Sequence, residues 1–183
     1  MTVQHKEIEC LSERVVFENR WMRLREDRIR RQDGSEALFS VVDKPHFAVI
    51  AAIDKGVIHL VEQYRYPLGA RFWELPQGSL ETRTDATPLE VARTELLEET
   101  GLTASTMVHV GRLALAPGYS NQCYDIFLAS GLISGNQSLD VEEQGLISSA
   151  FTLTDFEAMI VAGEIRDATT VATFGLLRAK RML

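Results

Sequence analysis

The stretch Trp73–Leu102, WELPQGSLETRTDATPLEVARTELLEETGL, decides the reading of this chain. Thr87-Pro88-Leu89-Glu90 is a capping box with proline at the first helical position. Gly101 suits a left-handed helix end. Together they predict a helix over Pro88–Thr100. Glu95, Glu98 and Glu99 fall at i, i+3 and i+4 and so share one face. Like charges at that spacing repel by a few tenths of a kcal/mol per pair. They also crowd the negative end of the helix dipole, where Lys or Arg would be favoured. A bound divalent cation is the economical compensation, since hard cations such as Mg²⁺ take oxygen ligands and share their waters with substrate phosphates. A solvated acidic face is the plain alternative on the three glutamates alone. Pro76-Gln77-Gly78 adds weight to the metal reading, because it follows a predicted short strand, Phe72–Leu75, and a backbone carbonyl in such a turn can complete a metal site.

Outward from this stretch, Phe47–Ile53 is an apolar run suited to a buried strand. Asp54-Lys55-Gly56 is a turn and Val57–Arg65 a second strand. Later β-branched or aromatic runs lie at Met107–Leu115, Tyr124–Ala129 and Leu146–Leu153. Thr154-Asp155-Phe156-Glu157 reads as a second capping box, for a helix ended by Gly163. Asp167 reads as the cap of a last helix running to Leu183. Near the start, Met22–Arg31 alternates imperfectly, Asp33-Gly34 is a turn signal and Ala37–Val42 a return strand, which predicts a β-hairpin. Its arginines read first as a solvated face.

The chain has 183 residues, 45% apolar and 25% charged, which bounds it to one domain with a small appendage and argues against disorder. Nineteen Lys and Arg against twenty-six Asp and Glu leave a net charge of −7, unsuited to long nucleic acid. No apolar run approaches the ~20 residues of a membrane span, and the opening MTVQHKEIEC has no secretory core. Two cysteines, Cys10 and Cys123, make no disulfide framework, so a reducing cytoplasm is the expected setting. His5, His46, His59 and His109 are scattered without zinc-like spacing and read as structural or surface residues. No Ser or Cys nucleophile motif is evident.

The stretch from Trp73 resembles the Nudix box with its lead-in strand. Glu95, Leu96, Glu98, Glu99, Gly101 and Leu102 fall in register with the second half of that pattern. HLVEQYRYP before the box, APGYSNQ after it and GEIRDATTVATFGLL in the tail resemble the ADP-ribose and nucleoside-diphosphate-sugar branch of the family. The resemblance implies an α/β fold, a Nudix-type α/β/α sandwich with a mixed sheet and an N-terminal β-hairpin extension. Residues 1–43 would form the extension and serve dimerisation; residues 44–183 would form the hydrolase domain.

The box also departs from the family pattern. Gly78 and Glu95 are seventeen positions apart where the pattern has fifteen, so the loop is two residues longer. The pattern's first Glu falls on Thr84 or Ala86, with Asp85 between them, and its Arg falls on Thr94, with Arg93 one place early. That Glu and Arg commonly brace the metal-binding glutamates as a pair. Losing one alone would strand a charge; losing both together can be nearly neutral. The change reads as rebuilt support rather than a dead site, with metal affinity open to weakening.

The resemblance implies Mg²⁺-dependent hydrolysis (Mn²⁺ as a substitute) of a nucleotide sugar, ADP-ribose favoured, to a nucleoside monophosphate and a sugar phosphate. Glu95 and Glu99 with the Gln77 carbonyl would hold the main metals, and Glu98 would act as a catalytic carboxylate supporting a further ion. The base would come from Glu142 or Glu143, in a segment that otherwise reads as a polar loop. Gln122 stands where many relatives carry an acid. Arg65 would contact phosphate. Glu74 would touch a ribose or pair with an arginine, and Trp21 would stack on a nucleobase in a homodimer, unless it is simply an interface tryptophan. Rival readings are hydrolysis of another dinucleotide or nucleotide diphosphate, and a Nudix-like sensor that binds a nucleotide sugar without turnover. No membrane or nucleic-acid partner is expected.

Overall fold

The computed structural model describes residues 7–79, 85–137, 139 and 144–183. The chain divides into two compact units, one made of residues up to Pro45 together with Ala114–Cys123, the other of His46–Leu113 and Tyr124–Leu183.

The first unit is a three-stranded antiparallel sheet of β1 (Ile8–Glu18), β2 (Arg23–Arg31) and β3 (Glu36–Asp43), in that order. The expected hairpin is β2–β3. Strand β1, absent from the sequence reading, precedes it. Its register shifts between Cys10 and Ser12 and again between Val15 and Phe17, and each bulge inverts the side-chain alternation that would have betrayed a strand. Arg23, Arg25, Arg28 and Arg30 of β2 are matched by acids, most of them on the neighbouring strands. Arg23 and Arg25 meet Asp43, Arg25 also meets Glu13 and Asp27, and Arg28 and Arg30 share Glu36. The loop Ala114–Cys123 is tied to the end of β3. The Val42 N–H donates to the Tyr119 carbonyl at 2.8 Å, the Ser120 hydroxyl to the Val42 carbonyl at 2.9 Å and the Asn121 amide to Asp43 at 2.7 Å. The sequence reading placed this loop with the second domain.

The second unit is a mixed seven-stranded sheet. Strands β4 (Phe47–Asp54), β5 (Val57–Arg65), β8 (Leu102–Ala114), β9 (Cys123–Ser134) and β10 (Ile147–Thr152) run in the order β10-β5-β4-β9-β8. Strand β6 (Ala70–Glu74) pairs with β5 and β7 (Gln77–Gly78) with β4. β4 is parallel to β9 and antiparallel to β5 and β7. Its apolar run is buried on both faces. Ala48, Ile50 and Ala52 pack with Ala92 and Leu96 of α1 (Pro88–Thr100), while Val49, Ala51 and Ile53 pack with Phe156 of α2 (Leu153–Val161) and Leu177 of α3 (Ala168–Ala179). A strand covered by helices on both faces needs no polar alternation. The expected α/β/α sandwich with a mixed sheet is present. Among the described residues no helix is long and apolar enough to cross a membrane.

Helix α1 has the predicted bounds, and both halves of its capping box form: the Glu90 carboxylate accepts from the Thr87 N–H at 2.7 Å and the Thr87 hydroxyl from the Glu90 N–H at 3.3 Å. Other boundaries differ. Helix α2 is capped by Thr152, whose hydroxyl accepts from the Asp155 N–H at 3.0 Å, and not by Thr154. Helix α3 is capped by Asp167 as expected but stops at Ala179 rather than Leu183. Strand β8 starts directly after Gly101 rather than at Met107, and β9 continues past Ala129 to Ser134. The residues added to β8 alternate, with Leu102 and Ala104 in the core, and those added to β9 are half-buried or exposed.

Candidate active site

The site is built on the C-terminal half of α1 and on β7. Strand β7 is held against β4 by pairing of Gln77 with Val49 and Gly78 with Ala48, and the Ile50 N–H donates to the Pro76 carbonyl at 2.9 Å. The residue before Pro76, Leu75, donates its N–H to the Thr170 hydroxyl of α3 at 2.9 Å. These bonds fix the 75–78 backbone beneath the helix.

Glu95 and Glu99 are both more than nine-tenths buried, at 6% and 1% exposure, while Glu98 is half-buried. Burial of carboxylates is unfavourable without donors or a cation. One donor to Glu99 is the Gln77 N–H, at 2.9 Å. Glu95 lies over Gly78: a Cβ at residue 78 would meet Glu95 Cδ at 2.5 Å and Oε1 at 2.6 Å. The ligand atoms this part of the chain offers are carboxylate oxygens and the carbonyls of β7, a set that fits hard divalent cations rather than zinc or copper.

Among the described residues, the acid and thiol atoms that already lie within 4.8 Å of one another in a group of three are those of Cys10, Glu13 and Asp27 in the first unit. That group already holds a cation of its own, the Arg25 guanidinium, 2.8 Å from Glu13 and 3.2 Å from Asp27.

Arg65, at the end of β5, is paired with Ala70 on the β5–β6 ladder and Glu74, at the end of β6, with Val61, so the long Arg65 side chain reaches along the sheet to Glu74. They form a two-pronged ion pair in which Arg65 Nε donates to Glu74 at 2.8 Å and the second nitrogen closes the fork. The Gln77 side-chain amide donates to the same carboxylate at 2.8 Å. Burial works against the Arg65 charge, but Glu74, with Asp167 and Glu99 beyond it, more than offsets this and raises its pKa above the ordinary arginine value. The arginine pair expected as one role of Glu74 is formed. The Arg65 side chain keeps 38% exposure against 2% for Glu74, so part of the arginine stays accessible.

Trp21 is 42% exposed in the first unit, with Arg20 stacked 4.1 Å over its ring and its N–H bound to Asn19. Gln122 is buried at 9% exposure and its amide donates to the Pro45 carbonyl at 2.7 Å, which makes it a loop fastener rather than a base. Arg93 donates to the Ala104 carbonyl at 3.4 Å, away from the role of the missing box arginine, and Thr94 is half-buried in that arginine's place. Thr84, Glu142 and Glu143 lie outside the described residues. His109, read as structural, pairs with the buried Asp125 at 2.8 Å, and Arg112 comes within 3.6 Å of the same carboxylate. The sequence reading missed the Gln77–Glu99 bond and the bearing of Glu95 on Gly78. The pairing of β7 with β4 and the packing of α1 on β4 bring those residues together.

Comparison with known proteins agrees with this geometry. Residues 8–42 match the model of the nucleoside diphosphate sugar hydrolase N-terminal domain and residues 43–168 that of the NUDIX domain. The chain is 33% identical over 170 residues to the ADP-ribose pyrophosphatase of Mycobacterium tuberculosis (strain ATCC 25618 / H37Rv), covering 91% of this chain and 81% of that protein. It is 27% identical over 179 residues to the ADP-ribose pyrophosphatase of Bacillus subtilis (strain 168), covering 97% and 96%. A solved ADP compounds hydrolase superposes with a TM-score of 0.83 at 17% identity, over 95% of this chain and 94% of that one, a likeness of fold. With both domain models matched in sequence order and the box glutamates gathered on one helix end, the chain belongs to the Nudix family.

Proposed function

We propose that the protein is a pyrophosphatase that hydrolyses the diphosphate bond of a nucleoside diphosphate sugar, ADP-ribose foremost, in a Mg²⁺-dependent reaction. The observation that carries this reading is the pair of buried carboxylates, Glu95 over Gly78 and Glu99 on the Gln77 N–H. Glu95, Glu99 and the Gln77 carbonyl would hold the metal, and Glu98 would support a further ion. Bound there, Mg²⁺ (or Mn²⁺) supplies charge neutralisation at the diphosphate and lowers the pKa of a bound water. Arg65, kept rigid by Glu74, would present its accessible part to a phosphate oxygen. Glu142 or Glu143 would take the proton from the attacking water. Attack on either phosphorus breaks one P–O–P bond and leaves a nucleoside monophosphate and a sugar phosphate.

The first unit supports a homodimer. Phe17 and Leu38 lie on one face of its sheet and are 51% and 64% exposed. Paired acids leave its arginines little net charge for an anionic polymer, while aromatic residues and arginine are typical of interfaces. Trp21 would then stack on the nucleobase of the partner's substrate. The working place of the enzyme would be the cytoplasm.

A panel of nucleotide sugars and dinucleotides with Mg²⁺, its products read by mass, tests the reaction. AMP and ribose 5-phosphate from ADP-ribose are expected. Tight binding without turnover would establish the sensor instead, and preferred cleavage of a dinucleotide would replace the substrate class. Light scattering at micromolar concentration tests the dimer, and a monomer there would remove Trp21 from the site.

A further inference from the structure

We infer that Gln137 is a positioning residue for the carboxylates of α1, an inference that rests on the metal-dependent reading above. Residues 135–137 follow β9 and close on the C-terminal end of α1 at two points. The Gly135 N–H donates to the Gly101 carbonyl at 2.6 Å, and the Gln137 side-chain amide donates to the Glu99 backbone carbonyl at 2.5 Å. The approach is close. Gly101 has φ +70°, and a Cβ there would meet Gln137 N at 2.8 Å and the Gly135 carbonyl oxygen at 3.1 Å. The clasp therefore requires glycine at position 101 for space as well as for backbone conformation.

The last carbonyls of a helix lack intrahelical partners. In α1 the need is sharper than usual, because Glu95, Glu98 and Glu99 add negative charge to the negative end of the dipole, and the last turn contains no Lys or Arg. Gln137 brings the positive end of an amide to this place without bringing a formal charge that would compete with a cation for the carboxylates. It also grips Glu99 by its backbone while the Gln77 N–H grips the same residue by its side chain. The Gln137 bond steadies the helix end from which the Glu99 carboxylate projects. Gln137 thus stands in for part of the bracing that the box lacks at Thr94. Its removal should weaken metal binding, since partners that orient ligands are worth about 10–100-fold in affinity or activity.

The test uses the full-length protein, with Gln137→Ala and the near-isosteric Gln137→Glu, which cannot donate when ionised. Mn²⁺ and Mg²⁺ are titrated calorimetrically without substrate, thermal melts are recorded without metal, and kcat and KM for ADP-ribose are measured across Mg²⁺ concentrations. The expected result is an Mn²⁺ affinity roughly tenfold weaker in Gln137→Ala, at least as weak in Gln137→Glu, with most of kcat regained at saturating Mg²⁺ and KM for ADP-ribose little changed. A lowered melt with unchanged metal affinity would make Gln137 a simple helix cap and overturn the inference. So would wild-type values throughout. Failure of the wild-type protein to bind either cation would overturn the metal-dependent reading itself and this inference with it.

Discussion

Glu95 rests directly on Gly78, so close that a methyl group at Gly78 would lie 2.5 Å from the carboxyl carbon. The space above the β7 backbone at Gly78 is taken by that carboxylate. Gly78→Ala must push the Glu95 side chain off its place or part β7 from β4. The expected outcome is a fall in kcat/KM of on the order of 100-fold, with a loss of stability of about 1–3 kcal/mol in urea unfolding. Activity within twofold of wild type would mean that Glu95 is free to work from another position.

Glu99→Gln keeps an oxygen to accept the Gln77 N–H, removes the charge and turns the second oxygen into an amide donor. Activity should fall by on the order of 100-fold or more. Stability without metal should hold or rise, because the variant relieves repulsion with Glu95 and Glu98. A thermal melt without metal and an assay with Mg²⁺ check both halves; a destabilised but fully active variant contradicts the metal role.

Thr94→Arg restores the family's arginine without its partner. Thr94 is half-buried on α1, and a guanidinium placed there lacks an acid in register. A loss of about 1 kcal/mol and lower activity are expected. Higher activity at unchanged stability would show that Asp85 receives the arginine.

Gln122→Glu tests whether this position can serve as a base. The native amide donates to the Pro45 carbonyl from a buried site. A carboxylate would face that oxygen with no hydrogen between them, costing about 1–3 kcal/mol. Denaturant midpoints should fall with no gain in kcat at any pH; a gain in kcat would return the position to the catalytic set.

Two histidines predict the acid limb of stability. Burial lowers the pKa of His59, with Asp54 opposing, and burial and then the Arg112 charge lower that of His46, with Asp125 opposing. The fold disfavours the charged form of both, whereas in the unfolded chain they protonate near the ordinary value of about 6.5. Below that pH the unfolded state binds more protons, so their contribution to stability is complete above it and is lost as pH falls through the folded values. The urea midpoint should drop between pH 7.5 and pH 5.5, and His59→Gln should flatten the slope. A midpoint that rises on acidification would contradict the sign.

Much of this protein is legible in sequence because the interactions responsible are local. Thr87, Glu90 and Gly101 bound α1 through bonds within one turn, so the helix has the limits its sequence predicts. The spacing of Glu95, Glu98 and Glu99 alone places them on one face. The double burial of β4 shows as an unbroken apolar run. Strand β1 was hidden because its bulges at Leu11 and Val16 break the period that makes a strand visible. The remainder belongs to tertiary structure. Gln77 reaches Glu99, Gly78 gives room to Glu95, Gln122 fastens Pro45 and Gln137 grips Glu99. Each contact joins residues far apart along the chain. A residue's local preferences carry no record of which distant backbone group will stand beside it; sheet pairing and helix packing decide that, and they decide how the carboxylates are aimed.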